Sequence, residues 1–344
     1  MLFVGLGIVA HILFVIYTTE KDIAAKLAKI SPWYFLVIIA LMSIPWLGYA
    51  FRVTMWSRFL GERISYSEAL RIVITADVAS ALSPTAVGGA PFKAALLVKK
   101  GFSTGRVGFL LTWGVIEDII FYTSGFIFAL WFSSGIMDNL FGKITGFVKD
   151  NLNWFFWVLV FIFSYIIVVK AKLLPEKFSF SALVPTRLKN SYLKLLVKTK
   201  QGYDEMRECF MMVLNAGKWR MFLGITILYV QWFAKFSVLV VILYALNITP
   251  DVLQVYARQW IIWITMLFIP TPGASGGAEA SFLLIFGKSI PSDIVNLIVS
   301  LWRFFTYYLV LLSAVVVYQT LGFFTGKEIS EIEIETPEVK QNSP

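Results

Sequence analysis

Thiol and imidazole chemistry are nearly missing from this sequence, whose 344 residues hold one cysteine, Cys209, and one histidine, His11. A lone cysteine excludes any disulfide within the chain and any cysteine cluster for a metal. A lone histidine excludes His-based zinc sites and histidine-containing catalytic triads. Charge is also scarce, at 15% of residues, where a soluble domain carries about a quarter. No Gly-x-x-x-x-Gly-Lys-Ser/Thr phrase occurs, so nothing marks a nucleotide-driven pump. Met1 to Tyr17 has neither a basic leading region nor a small-residue cleavage site after it, and reads as a retained first span.

Apolar residues fill the space that charge leaves. They make up 58% of the chain, and mean hydropathy is +0.76. That is the composition of a polytopic all-α membrane protein. Crossing the hydrocarbon takes about 20 apolar residues, and six runs meet or approach this: 2–18, 32–52, 107–132, 152–169, 220–246 and 294–321. The net charge of +9 lies mainly in loops, where it reports orientation and not nucleic-acid binding. The basic stretch 170–219 belongs in the cytoplasm by this rule. Counting outward from it places Arg52, Arg58, Arg63, Lys99, Lys100 and Arg106 on the same side, with both termini. A multi-pass protein of the cell membrane is expected. Leu188 to Leu214 spaces apolar positions among lysines, as an amphipathic helix on the inner leaflet or a plain connector would. Residues 327–344 read as an acidic, disordered tail, leaving 1–326 as a single transmembrane domain.

Two shorter apolar pairs, 67–82 with 91–99 and 257–269 with 278–287, meet at a phrase that occurs twice. Pro84-Thr85-Ala86-Val87-Gly88-Gly89-Ala90 returns as Pro272-Gly273-Ala274-Ser275-Gly276-Gly277-Ala278. Proline with paired glycine breaks a helix, and Pro91 and Pro270 reinforce the two breaks. Broken helices survive at membrane depth where they line a protein-enclosed cavity. The pairs read as re-entrant hairpins of opposite orientation within units 32–132 and 220–321, an inverted-topology repeat such as transporters use around a central site. Glycines placed only for close helix packing would give the same pattern.

Charges inside these apolar segments cost about 2.5–3.5 kcal/mol each on insertion scales. The segments nevertheless hold Asp77, Lys93, Glu117, Asp118, Lys235, Glu279 and Arg303. Asp77 and Lys235 read best as a structural salt-bridge network. Lys93, Glu117, Glu279 and Arg303, with Asp118, read as substrate-binding, and Lys93 and Glu279 would meet if both hairpin tips reach mid-depth. The half-helix starting at each tip offers free backbone N–H groups to an anion, and Gly88, Gly89, Ser275, Gly276 and Gly277 would let it come close. Glu279 could instead cap the second half-helix itself.

The run from Pro270 to Glu279 resembles the signature of the lysylphosphatidylglycerol synthase transmembrane-region family, close to Pro-Gly-Gly-x-Gly-x-x-Glu. Its members include the flippase domain of the multiple peptide resistance factor. Ser83-Pro84 through Pro91 resembles the family's earlier motif, Lys93 stands where it often has arginine, and Glu117 matches an acidic position. Ala90 and Asp118 depart from the pattern. The resemblance covers about 30 to 320 and implies lipid translocation, with the head group at the hairpin tips. No segment resembles the aminoacyl-tRNA-using transferase domain of the full-length synthases, so a lysyltransferase is not expected.

A flippase for an aminoacylated or anionic phosphatidylglycerol-like lipid, or a polyprenyl-phosphate lipid, is therefore the leading expectation. Its energy would come from a gradient, the membrane potential or a proton carried by Glu117, Asp118 or Glu279. An intramembrane lipid-modifying transferase and a small-solute permease remain open. Adjacent Glu117 and Asp118 point about 100° apart on a helix and make a poor metal clamp. No cofactor or metal is expected. Expected partners are membrane phospholipids, a separate lipid-synthesising enzyme and, through an aromatic seam, a second copy.

Overall fold

The sequence's longest apolar runs become its longest helices. The computed structural model describes residues 30–82, 89–132, 186–269 and 271–312. In chain order the helices are α1 (Pro32–Phe59), α2 (Tyr66–Leu82), α3 (Gly89–Lys99), α4 (Thr104–Phe132), α5 (Thr186–Ala216), α6 (Lys218–Ala245), α7 (Val252–Met266), α8 (Gly277–Phe286) and α9 (Val295–Arg303). A π-turn, Phe304–Tyr308, prolongs α9. Among the described residues all regular structure is helical, and four stretches are long and apolar enough to cross a membrane: α1, α4, α6 and Val295–Leu312. These match four of the six expected runs. Runs 2–18 and 152–169, the tail 327–344, Pro84, Gly88 and Pro270 lie outside the described residues.

Apolar residues pack inside and also cover the outside. Trp33, Ile119, Ile127, Trp131 and Phe268 are exposed, as expected of helices whose outer faces meet hydrocarbon and not water. Inside, α1 and α6 pack along each other, and α4 lies against both α5 and α7. The α4–α7 seam closes because position 125 is glycine. A Cβ there would strike the Trp260 indole, and Trp260 joins Phe121, Trp232 and Phe236 in an aromatic cluster. Pro45 sits within α1, where its missing N–H removes one backbone bond, and its own carbonyl accepts from the Gln231 amide of α6.

Each broken pair stays together. The helices α2 and α3 pack on one another, as do α7 and α8. Gly89 and Gly277 hold equivalent places: a Cβ on the first would strike Ser80 and the carbonyl of Ala76, and one on the second would strike Ile269. The second glycine of each adjacent Gly-Gly pair is thus a packing glycine. Pro91 lies in the first turn of α3, so it helps to start that helix instead of breaking one. At the open end of the first pair, Lys100 donates to Glu68 at 2.7 Å. That bond and those from Ser65 hold the Glu68 carboxyl down to about 2, so the contact lasts until pH falls well below the usual carboxylate range of about 4.

The 170–219 stretch contains α5, which packs on α4 through Gly105 and Gly202 and through Glu205, the acceptor for Ser103 and an ion-pair partner of Arg106. Cys209 is buried in that contact, and burial pushes its thiol up. Each pKa unit of such a shift removes about nine-tenths of the thiolate. Cys209 should therefore resist maleimide in the folded protein and label fully once denatured. Equal rates in both states would mean that α5 is not seated on α4.

Candidate functional site

The second break is closed by its own residues. After α7, a 3₁₀ turn at Pro272–Ala274 carries Gly273 at φ 58°, and Gly276 follows at φ 82°, both in the left-handed region where a side chain is strained. Glu279, in the first turn of α8, reaches back to accept the Gly276 N–H at 2.7 Å. Its other oxygen accepts from Arg303 Nε at 2.8 Å, and Arg303 Nη2 donates to the Gly273 carbonyl at 2.9 Å. Arg303 is 1% exposed. Its guanidinium lies 4.7 Å from the Tyr307 ring centre, and the Tyr307 hydroxyl donates to the Ala81 carbonyl at 3.1 Å. One side chain thereby ties the second break to the last turn of α2. Thr271 Oγ1 also donates to the carbonyl of Ser275, tightening the turn from within.

A second polar cluster lies between α1, α2, α4 and α6. Glu117, 3% exposed, accepts from Trp113 Nε1 at 2.9 Å and pairs with Arg52. Arg52 also lies 4.9 Å from the centre of the Tyr49 ring. Lys93 of α3 donates to the Tyr49 hydroxyl at 2.8 Å with its ammonium over the same ring. Beside this stands a cavity of about 180 Å³ lined by Pro45, Tyr49, Arg52, Asp77, Gly114, Asp118, Leu228, Gln231, Trp232 and Lys235. Trp46 donates to Asp77 at 2.7 Å. Lys235 rests over the Trp263 ring at 3.9 Å and near Trp232 at 5.2 Å.

The two clusters are electrically continuous. Asp77 feels both Lys235 and Lys93, Asp118 feels Arg52 and Lys93, and Lys235 feels Arg303. Arg52, Lys93, Lys235 and Arg303 match Asp77, Glu117, Asp118 and Glu279 in number, so the formal charges of these eight side chains cancel. Buried charges are tolerated on such terms, each paired or near a partner.

Residues 2–314 match the family described as the lysylphosphatidylglycerol synthase TM region. The chain belongs to this family. A relative called "UPF0104 membrane protein", from Archaeoglobus fulgidus, is 26% identical over 303 residues, covering 84% of this chain and 87% of its own length.

In this member of the lysylphosphatidylglycerol synthase TM region family, Lys93 and Glu279 do not meet. Arg303 and the Gly276 N–H occupy the Glu279 carboxylate, and Tyr49 holds the Lys93 ammonium. Glu279 caps α8, so that helix start is already satisfied. Glu117 and Asp118 diverge as their helix requires: Glu117 is buried against Arg52, and Asp118 is exposed at the cavity edge. Arg52, counted in the sequence only among the basic residues that set orientation, has a buried partner in the structure. α1 continues to Phe59, which puts Arg52 two turns inside the helix and 6% exposed. Asp77 and Lys235, read as structural, line the cavity, and Tyr49 and Gln231 join them. No sequence signal singled out those two, because neither is charged at neutral pH and their partners lie on other helices.

Proposed function

We propose that the protein is a lipid translocator that carries a polar phospholipid head group through its core while the acyl chains stay in the bilayer. The observation that carries this reading is the mouth of the cavity. Asp118 lines the cavity yet is exposed, and Val115 and Ile119, neighbours on the same face of α4, are exposed apolar residues. A polar chamber whose edge reaches an exposed apolar helix face suits a ligand with a wet end and a greasy end. A solute taken from water would be better served by a mouth at a membrane surface.

Alternating access through an inverted repeat fits the packing. The order α1–α2–α3–α4 has the same neighbour-to-neighbour contacts as α6–α7–α8–α9, with α1 against α6 between the two halves. Gly89 and Gly277 do the same work in each half. On this reading α2–α3 and α7–α8 are re-entrant hairpins entering from opposite sides, α5 lies in the cytoplasm and the protein resides in the cell membrane. Lys93 acts through Tyr49, which it orients at the cavity wall, and Glu279 with Arg303 fixes the second hairpin tip.

Leaflet exchange in liposomes of purified protein tests the reading. Acyl-labelled phospholipids should become accessible to a membrane-impermeant quencher only when protein is present. Lys93→Ala, which removes a charged hydrogen bond of about 1.5–3 kcal/mol, should slow exchange about tenfold or more, and Glu279→Gln should do the same with the protein still folded. Absence of exchange for every lipid, with folded protein and a gradient supplied, would sink the proposal.

A further inference from the structure

Lipid translocation needs a part that moves, and the contacts between the two halves show where motion is least opposed. Over most of their length the halves meet through broad apolar seams, α1 on α6 and α4 on α7. The two broken pairs meet differently, where α2 touches the turn Pro272–Ala274. There the Tyr307 hydroxyl donates to the Ala81 carbonyl at 3.1 Å, in the last turn of α2. One neutral hydrogen bond contributes far less than a packed apolar seam. This contact can part while the seams hold.

Tyr307 is seated to act as a latch. Its ring lies on Gly273, where a Cβ would strike it, and its centre is 4.7 Å from the Arg303 guanidinium. Arg303 is itself fixed to Glu279 and to the Gly273 carbonyl. The ring therefore belongs to the second break, and the hydroxyl reaches across to the first. Ala81 stands about one helical turn after Asp77, which lines the cavity. The latch thus borders the chamber.

The helix that carries Tyr307 is weakened at that point. From Phe304 to Tyr308 it widens into a π-turn, and the Leu309 N–H donates to the Phe304 carbonyl five residues back. Thr306 Oγ1 donates to the Trp302 carbonyl at 2.6 Å, a back-bond of the kind that bends helices. π-turns are rare, concentrate at functional sites and are where helices kink. Arg303, pinned to the second break, stands just before this turn, and Tyr307 stands within it.

We infer that Tyr307 is a latch between the two broken pairs, and that the π-turn is the hinge on which it opens the cavity during translocation. The inference rests on the translocation reading, but latch and hinge can be measured without any lipid moving.

Amide hydrogen exchange of the intact chain in detergent makes that measurement. Residues 304–309 should exchange faster than 296–303. Tyr307→Phe keeps the ring and removes only the bond, so it should speed exchange at 304–309 and at the end of α2 about two- to tenfold, the population equivalent of one neutral hydrogen bond. Equal protection along 296–309, unchanged in the variant, would overturn latch and hinge whatever the lipids do. In liposomes, cysteines at Ala81 and Tyr307, with Cys209→Ser, would be bridged by a reducible bis-methanethiosulfonate about as long as a tyrosine side chain. The bridged protein should lose lipid exchange, and reductant should restore it. Exchange that survives bridging would show that translocation does not open this contact. If neither form moves any lipid, the translocation reading fails and hydrogen exchange alone decides the latch. If the double-cysteine variant does not fold, Tyr307→Phe decides in its place: lipid exchange should rise about two- to tenfold, and an unchanged rate would overturn the proposal.

Discussion

Glu117→Leu should cost the folded protein about 3–5 kcal/mol, the usual penalty for stranding one member of a buried ion pair. The loss is this large because two groups lose their partner at once. Arg52, 6% exposed, would keep its charge with no carboxylate beside it, and Trp113 would lose the acceptor of its indole N–H. Gly224 of α6, where a Cβ would meet the Glu117 oxygen at 3.0 Å, marks how closely α6 approaches that carboxylate. Pairing the change with Arg52→Met should recover most of the stability, because apolar replacement of a whole buried pair is often neutral or favourable. Transport should not return with it, since Arg52 also faces the cavity. Thermal unfolding in detergent, followed by tryptophan fluorescence, measures both variants. A single mutant within about 1 kcal/mol of the original would mean that water already reaches the pair.

Arg303→Met should be equally damaging, again by about 3–5 kcal/mol, but for a different structural reason. Arg303 satisfies a carboxylate and a backbone carbonyl on the two sides of one break, Glu279 and Gly273. Without it Glu279 keeps only the Gly276 N–H, and the left-handed turn at Gly273 loses the bond that holds it against α9. Arg303→Lys should recover only part of the loss. An ammonium supplies the charge, yet it lacks the planar fork that reaches both acceptors together. Full stability and full exchange in the lysine variant would show that charge alone matters and that the fork does not.

Much of the scaffold was legible because hydrophobic run length directly reports membrane thickness. The two broken pairs were legible because proline and paired glycine leave a helix few options. Even the cap on α8 could be read, as Glu279 stands three residues after Gly276. What could not be read is which charges meet, since pairing across helices depends on how they rotate against one another. Lys93 and Glu279 looked like partners by depth, whereas Lys93 faces α1 and Glu279 faces α9. Arg52 counted only toward orientation, with Arg58 and Arg63, because its place in the helix depends on where α1 ends. The glycine pairs looked like ligand-approach positions, but Gly277 admits Ile269 and Gly276 permits a turn. Gln231 carried no warning at all: an amide in an apolar run becomes informative only once its bond to the Pro45 carbonyl across the helix pair is seen.

The neutrality of the buried network has an electrical consequence. A charge carried fully across a bilayer exchanges about 2.3 kcal/mol with each 100 mV of membrane potential. On the translocation reading, a core whose formal charges cancel adds no net charge of its own to the cycle. Any effect of voltage on the cycle would then report the charge of the head group carried, and a rate that is the same in a charged and a discharged membrane would mark a cargo without net charge.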